Sequence, residues 1–444
     1  MKILAIETSC DDTGIAILDI KEGKTPEFFV LANKIASQIK VHQKYGGVFP
    51  MMAKREHQKN IIPTFIEALK SDKSQRHFDG PATISPEANL GGEAKLKILS
   101  EILEREPELA KKIIPFLKKY SKPDIDYIAV TNGPGLEPCL WVGVNFARAL
   151  SFLWNIPIIP VNHIEGHILV NFLNKNTAPS SLRGGSHADE AIQSNSTNSR
   201  LPRSSPAEQA NFARNDNIRF PAIALVVSGG HTQIVLVEDI SKYKILGETR
   251  DDAAGECFDK AAKILGLGYP GGPIISKLAD RHPMSIKNKT DRLPMSIRLP
   301  RPMLNTKDYD FSFSGLKTAI LYFQQKQLKK VQKNKYYICA MCAEIQQAII
   351  DVLLKKTFKA VKDFNAKTII LGGGVSANSE LKKQFQDATT RHSRERGNPV
   401  SLIFPEPILS TDNGLMIGVA GYYNKNKTVN WKDLKADSNL RIGE

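Results

Sequence analysis

The chain reads as an α/β protein built of two related lobes with a cleft between them. Three observations carry that reading. Apolar strand segments alternate with helical runs along the chain. A strand, a polar turn and a returning strand occur once in each half. Glycine-rich turns close several strands, which lets backbone N–H groups approach an anion with no Cβ in the way.

The elements follow in order. Lys2 to Glu7 is an apolar strand, Thr8 to Gly14 a polar turn, and Ile15 to Asp19 the returning strand. Ile125 to Val130 is a strand that runs through Thr131-Asn-Gly-Pro-Gly135 into a helical run from Leu140 to Trp154. Pro157 to Val161 leads into a helix carrying two histidines. In the second half Ala222 to Val227, the turn Ser228-Gly-Gly-His231 and Thr232 to Val237 repeat the strand–turn–strand unit. Phe311-Ser-Phe-Ser-Gly-Leu-Lys317 alternates aromatic and hydroxyl residues, which suits an edge strand beside a cleft. Lys367 to Leu371 is a strand ending in Gly372-Gly-Gly374 and followed by a helix through Glu380.

This organisation gives lobe I as residues 1–158, lobe II as 159–411, and a C-terminal segment, 412–444, that returns to lobe I. Four stretches read as surface insertions. Residues 70–122 begin polar and then carry a helix pair between Ala94 and Lys119. Residues 174–217 are rich in Ser, Asn, Pro and Gly with little periodicity, so they read as loop. Residues 283–297 hold a local duplication, Pro283-Met-Ser-Ile286 and Pro294-Met-Ser-Ile297. Residues 388–399 are charged and end in Gly-Asn-Pro.

Composition bounds the class. The 444 residues are 41% hydrophobic and 24% charged, with length for more than one core. Met1-Lys-Ile-Leu-Ala-Ile reads as strand and not as a secretory leader, and no run approaches 18 uninterrupted apolar residues. Five scattered cysteines suit a reducing cytoplasm. Cys339-Ala-Met-Cys342 has CxxC form without a second pair, so a structural role is the plainer reading. The net charge of +15 favours a polyanion such as nucleic acid, although the charge is spread along the chain.

The sharpest chemical feature is Val161-Asn-His-Ile-Glu-Gly-His167. Histidines four apart on a helix share one face, so His163 and His167 can reach one metal ion. The bland alternative is a pair of buried helix histidines. Metalloproteases place a Glu beside the first histidine, whereas Glu165 lies two residues from each and points away from both. Asp412, in Thr411-Asp-Asn-Gly414, is either the N-cap of the last helix or a third ligand. Two His and one carboxylate leave positions open for substrate. Gly133-Pro-Gly135, Ser228-Gly-Gly230 and Gly372-Gly-Gly374 together favour a nucleotide or phosphoanhydride site. Asp259 can accept from a ribose or amide; otherwise it is a helix surface charge.

Further segments appear in a specific order: Ile3-Leu-Ala-Ile-Glu-Thr-Ser-Cys-Asp-Asp-Thr-Gly14, Gly46-Gly-Val-Phe-Pro50 with His57, the histidine segment, Val226-Val-Ser-Gly-Gly-His-Thr232, Asp259-Lys-Ala-Ala-Lys263, Tyr269-Pro-Gly-Gly-Pro273, Phe311 to Lys317, Gly372 to Asn378 and Ser410-Thr-Asp-Asn413. Over roughly three quarters of its length the chain resembles the TsaD family of tRNA N6-adenosine threonylcarbamoyltransferases. The resemblance implies a two-lobed actin-like, sugar-kinase-like (ASKHA) fold. It implies transfer of threonylcarbamoyl from threonylcarbamoyl-AMP to N6 of adenosine 37 in tRNAs reading codons that begin with A. It implies that His163, His167 and Asp412 hold one divalent metal, iron first and zinc second. It implies a substrate site lined by Val226, Val227, Ser228, Gly229, Gly230, Asp259, Gly272 and Asn378. The family works with a related non-catalytic TsaB-like subunit and a TsaE-like P-loop ATPase in the cytoplasm. No general base is assigned.

The chain departs from the family pattern at Met51, where an acidic residue is usual, and over Gly135-Leu-Glu-Pro-Cys-Leu-Trp141, so Glu137 is given no site role. Three rival readings stand beside the transferase. A small-molecule kinase of the same fold explains the glycine turns but gives the histidines no task. A metalloprotease is opposed by the position of Glu165. A silent scaffold, like the family's non-catalytic relative, is opposed by the presence of all three ligand candidates.

Overall fold

Strands β1 (Lys2–Glu7), β2 (Asp12–Lys21) and β3 (Glu27–Ser37) form an antiparallel meander, and β4 (Tyr127–Gly133) and β5 (Ile158–Asn162) add in parallel beyond β1. The computed structural model describes residues 1–23, 26–72, 93–174, 211–214, 218–281, 297–396 and 399–443. Two short strands, β6 (Leu173–Asn174) and β7 (Asn211–Arg214), extend the β3 edge, so the first sheet runs β5-β4-β1-β2-β3-β7-β6. The second sheet, of β8 (Ala222–Val227), β9 (Thr232–Asp239), β10 (Lys242–Glu248), β11 (Thr368–Gly372) and β12 (Ser401–Ile403), runs β10-β9-β8-β11-β12.

The two sheets follow one plan. In each, three antiparallel strands come first and two parallel strands add on the side of the first strand. Parallel additions need crossovers, and helices supply them. The helix Glu137–Trp154 joins β4 to β5, and Ser379–Arg396 joins β11 to β12.

Both faces of each central strand are buried, so the strands are continuous apolar runs rather than alternating ones. Ile223, Leu225 and Val227 of β8 face a core shared with the helices Ala254–Ile264, Gly271–Asp280, Ser314–Gln325 and Lys335–Asp363. Ala222, Ala224 and Val226 face a middle core. That core also takes Ile3 and Ala5 of β1, the histidine helix His163–Leu169 and the last helix Gly414–Tyr423. Leu4 and Ile6 face a third core beneath Pro50–Ser71 and Glu137–Trp154. The histidine helix and the last helix therefore lie in the layer between the two sheets.

The helix pair expected between Ala94 and Lys119 is present as Glu93–Ile102 and Pro107–Lys119, and it buries Leu99, Leu109 and Ile113 in the third core. Residues 73–92 of the same stretch, 175–210 and 215–217 of the second insertion, and 282–296 of the third lie outside the described residues. The charged stretch from 388 continues the helix Ser379–Arg396, with only Thr389 buried among residues 388–395. Leu381 and Phe385, the residues of this helix that enter the core, precede that stretch, and residues 397–398 lie outside the described residues. The helix Lys335–Asp363 is long and apolar enough to cross a membrane by length and composition. In the fold it is a core helix, with Met341, Ile345, Ile349 and Leu353 fully buried.

Candidate metal centre and adjoining cleft

Asn162 sets the histidine helix. Its side chain accepts from the backbone N–H groups of Ile164 and Glu165, capping the first turn. His163 and His167 then project one turn apart from the same face, with ring centroids 4.7 Å apart at 80°. The opposing carboxylate comes from the start of the last helix. Asn413 is the N-cap there, accepting from Met416 N at 3.0 Å. The capping role is thus filled by Asn413, and Asp412 is free to turn toward the histidines.

Asp412 Oδ1 lies 3.6 Å from His163 Nε2 and 3.2 Å from His167 Nε2. One ligand atom from each residue falls within 4.8 Å of the others. Both ring nitrogens of His167 are buried and make no aligned hydrogen bond in the described structure. Leaving buried imidazole nitrogens unpaired costs on the order of 1–3 kcal/mol each, and a cation drawing on Nε2 and on Asp412 removes part of that cost. The donor set, two imidazoles and a carboxylate, suits iron or zinc. The residues present fit a metal.

Charge in this cluster is strongly coupled. Burial disfavours the His163 imidazolium, but the Glu7 and Asp412 carboxylates outweigh burial and push it up to about 9. Burial likewise opposes ionisation of Asp412, and His163 and His167 override it and hold the carboxyl far below its usual range. Two acids facing one buried imidazole favour a positive charge at the centre, which a divalent cation supplies.

Glu165 stands away from this cluster. It accepts from Tyr243 Oη at 3.0 Å and Asn424 Nδ2 at 2.8 Å on the opposite side of the helix. This is the orientation that its spacing predicts.

The Ser228 turn adjoins the metal ligands. The His231 ring lies 6.1 Å from that of His163, and burial, followed by the charge of His163, pushes His231 down to about 4. Gly229 and Gly230 are exposed with open space where a Cβ would stand. Val226 and Val227 are buried in β8, so only their backbone can meet a ligand. Gly373, after β11, has φ +83° and passes so close to β8 that a Cβ would sit 2.4 Å from Val227 O.

The remaining predicted residues are placed less uniformly. Asp259 is not a helix surface charge. It accepts from Gly271 N at 2.6 Å, and burial pushes its carboxyl up to about 6 against that hydrogen bond. Gly272 follows in the same helix start. Asn378 has both side-chain polar atoms engaged: Nδ2 donates to Gln346 Oε1 at 2.8 Å, and Oδ1 accepts from Leu381 N at 2.9 Å.

Phe311–Lys317 is not an edge strand. Phe311 makes one isolated bridge with Thr249, and a helix starts at Ser314. Phe311 and Phe313 are both buried, stacked with centroids 6.2 Å apart. The hydroxyls of Ser312 and Ser314 both donate to Asp251 Oδ2. Ser312 and Ser314 share one side and Phe311 and Phe313 the other, as alternation requires, but Asp251 Oδ1 accepts from the backbone N–H groups of Phe313 and Ser314 and the chain turns there into a helix.

Residue spacing did not single out Glu7 or His231 as site residues. Glu7 belongs to an apolar strand and looks like its polar terminus; only the pairing of β1 beside β4 and β5 brings it to His163. Across the cleft, Tyr269 Oη reaches Asp11 Oδ2 at 3.4 Å and Gln43 Nε2 donates to Tyr269 O at 3.0 Å.

Comparison with known proteins agrees with this geometry. The family model described as TsaD, tRNA N6-adenosine threonylcarbamoyltransferase, matches residues 29–79, 106–184 and 205–419. Relatives of that description include one from Persephonella marina, 37% identical over 425 residues, covering 95% of this chain and 90% of the relative. Another from Thermosipho africanus is 37% identical and covers 100% of both chains. A third from Clostridioides difficile is 36% identical, covering 99% of this chain and 98% of the relative. The paired sheets have the actin-like, sugar-kinase-like arrangement expected from the sequence. The chain belongs to the TsaD family.

Proposed function

From that family membership we propose that this chain is the enzyme that transfers a threonylcarbamoyl group to N6 of adenosine 37 in tRNAs reading codons that begin with A. The donor is threonylcarbamoyl-AMP. The observation that supports the reading most is the convergence of His163, His167 and Asp412 beside the open Ser228–Gly230 turn, in the layer between the sheets. Lobes divided near residues 158 and 411 then place substrate between them.

The chemistry divides among the residues. The adenine N6 amine is a weak nucleophile, so the carbamoyl carbon must carry a good leaving group, here AMP. Gly229 and Gly230 leave open space where a Cβ would stand, so their backbone can come close to the phosphate of that group and donate to it. Asp259, held by Gly271 N, the backbone of Val226 and Val227, Gly272 and Asn378 are the further residues this reading assigns to the donor. A divalent metal on His163, His167 and Asp412, iron first and zinc second, supplies Lewis-acid polarisation of the donor's oxygens. Glu7 holds His163 so that Nε2 faces Asp412.

The chain works with a TsaB-like subunit and a TsaE-like P-loop ATPase in the cytoplasm. Five free cysteines suit that compartment. The metalloprotease alternative loses its base, because Glu165 is committed to Tyr243 and Asn424. The kinase alternative leaves the convergence of His163, His167 and Asp412 without a task.

The test is mass spectrometry of nucleosides from tRNA incubated with this chain, its partner subunits and a confirmed supply of threonylcarbamoyl-AMP. Threonylcarbamoyladenosine is the expected product. Its absence, with a related enzyme active in the same mixture, rejects the reading.

A further inference from the structure

The segment from Lys317 to Lys335 contains six lysines and no Asp or Glu. It supplies six of the fifteen net positive charges of the whole chain. It folds as a corner: the end of the helix Ser314–Gln325, the short helix Lys329–Gln332, and the start of the helix Lys335–Asp363. Lys326, Lys329, Lys330, Lys333 and Lys335 are all exposed. None of these five joins an ion pair among the described residues, while Lys317 reaches only Asp252, at 3.9 Å. Elsewhere acidic residues stand among the lysines, as Asp252 with Lys260, Asp308 with Lys356 and Asp363 with Lys359. A surface that is merely solvated mixes its charges in that way.

Apolar groups stand among the lysines. Leu328 is 76% exposed, Tyr322 59% and Tyr336 46%. The corner is also rigid. Gln332 Nε2 donates to the carbonyls of Gln324 and Gln327, both at 2.9 Å. Tyr337 Oη donates to Gln324 Oε1 at 2.7 Å, and Asn334 caps the long helix by accepting from Tyr336 N at 2.8 Å. Lysines on a fixed frame lose less entropy on meeting a fixed row of charges.

We propose that this lysine- and tyrosine-bearing corner is the surface that grips the tRNA backbone during transfer, an inference that rests on the transferase reading above. Ammonium groups recognise phosphates without regard to sequence, and exposed aromatic rings stack on unpaired bases. Position agrees with chemistry. The helix Ser314–Gln325 starts on Asp251, beside Asp252 and the Ser228 turn, where Gly255 N donates to Ser228 O. Twelve residues at 1.5 Å each place the corner about 18 Å beyond that start. An anticodon stem with its adenosine in the cleft has the length to cross it.

The experiment uses the full chain with its partner subunits. It compares wild type with the combined variant Lys329→Gln, Lys330→Gln, Lys333→Gln, and separately with Tyr322→Ala, Tyr336→Ala. Fluorescence anisotropy reads the affinity for tRNA from about 50 to 200 mM salt, and a second titration reads AMP. The lysine variant should bind tRNA about ten-fold more weakly, with a log–log salt slope shallower by about 2 to 3. The tyrosine variant should lose affinity at unchanged slope, and AMP binding should stay as in wild type. A lysine variant with wild-type affinity and slope overturns the surface assignment, even where wild type forms threonylcarbamoyladenosine. The same holds if the variant loses a protein subunit while keeping tRNA. If wild type neither binds tRNA nor forms the product, the transferase reading falls first.

Discussion

The carboxylate of Glu7 lies 3.1 Å from His163 Nδ1, on the side of the imidazole opposite Asp412. A carboxylate only accepts, so the contact keeps a ring proton on Nδ1, and Nε2, which faces Asp412 and His167, is the nitrogen whose lone pair a metal would take in place of its proton. Glu7 is itself fixed, accepting from Thr131 Oγ1 at 2.7 Å and from Ser9 N. A buried strand residue thereby sets the direction in which a histidine from another element offers its lone pair, as outer carboxylates do at metal centres.

Replacing Glu7 with Gln should weaken metal binding about 10- to 100-fold. An amide can accept from Nδ1–H through its oxygen but brings no charge. Metal content after dialysis, and the visible spectrum of the cobalt-loaded protein, read the effect. Unchanged content and spectrum would remove Glu7 from the centre.

His163→Ala, His167→Ala and Asp412→Ala should each abolish metal retention and transfer. The three ligand atoms converge within 4.8 Å, so none can be replaced from nearby. Glu165→Gln should keep both. Transfer surviving in the His167 variant would refute the metal reading.

His57 offers a test by pH. Its Nε2 donates to Cys10 O at 3.0 Å and its Nδ1 accepts from Thr13 Oγ1 at 2.7 Å, so the folded chain holds the neutral ring. Burial pushes it down to about 4, against 6.5 for the free side chain. The resulting stability is fully present above pH 6.5 and is lost as pH falls toward 4, by on the order of 1–3 kcal/mol. Asp12, pushed up to about 7 by burial and then by Asp11, works in the opposite sense. The difference in melting temperature between wild type and His57→Gln, measured from pH 7.5 to 5, isolates the histidine. It should shrink as the pH falls; a constant difference contradicts the assignment.

Gly373 should tolerate no side chain. Its φ of +83° and ψ of 162° belong to a region that is essentially glycine-only, and a Cβ would meet Val227 O. Gly373→Ala should destabilise by about 2 kcal/mol or more. Gly374→Ala is the control, because its Cβ would enter open space. Equal denaturation midpoints for the two variants would show that the β8–β11 approach is looser than described.

Much of the candidate centre was legible because local periodicity carries it. Histidines four apart on a helix share a face wherever the helix sits, and Glu165 must then face elsewhere. The misreading arose where a distant group decided the local conformation. Phe311 to Lys317 has the alternation of a strand, but Asp251, far away in sequence, accepts from the backbone N–H groups of Phe313 and Ser314 and starts a helix there.

The sequence by itself determined the strand–turn–strand units, the glycine turns and the shared face of His163 and His167, since each depends on neighbours within a few residues. Only the tertiary structure decided that Asp412 would complete the triad and that Glu7 would hold His163. Those residues lie 249 and 156 positions away from it. They meet because burying both faces of two sheets forces the histidine helix and the last helix into the single layer between them.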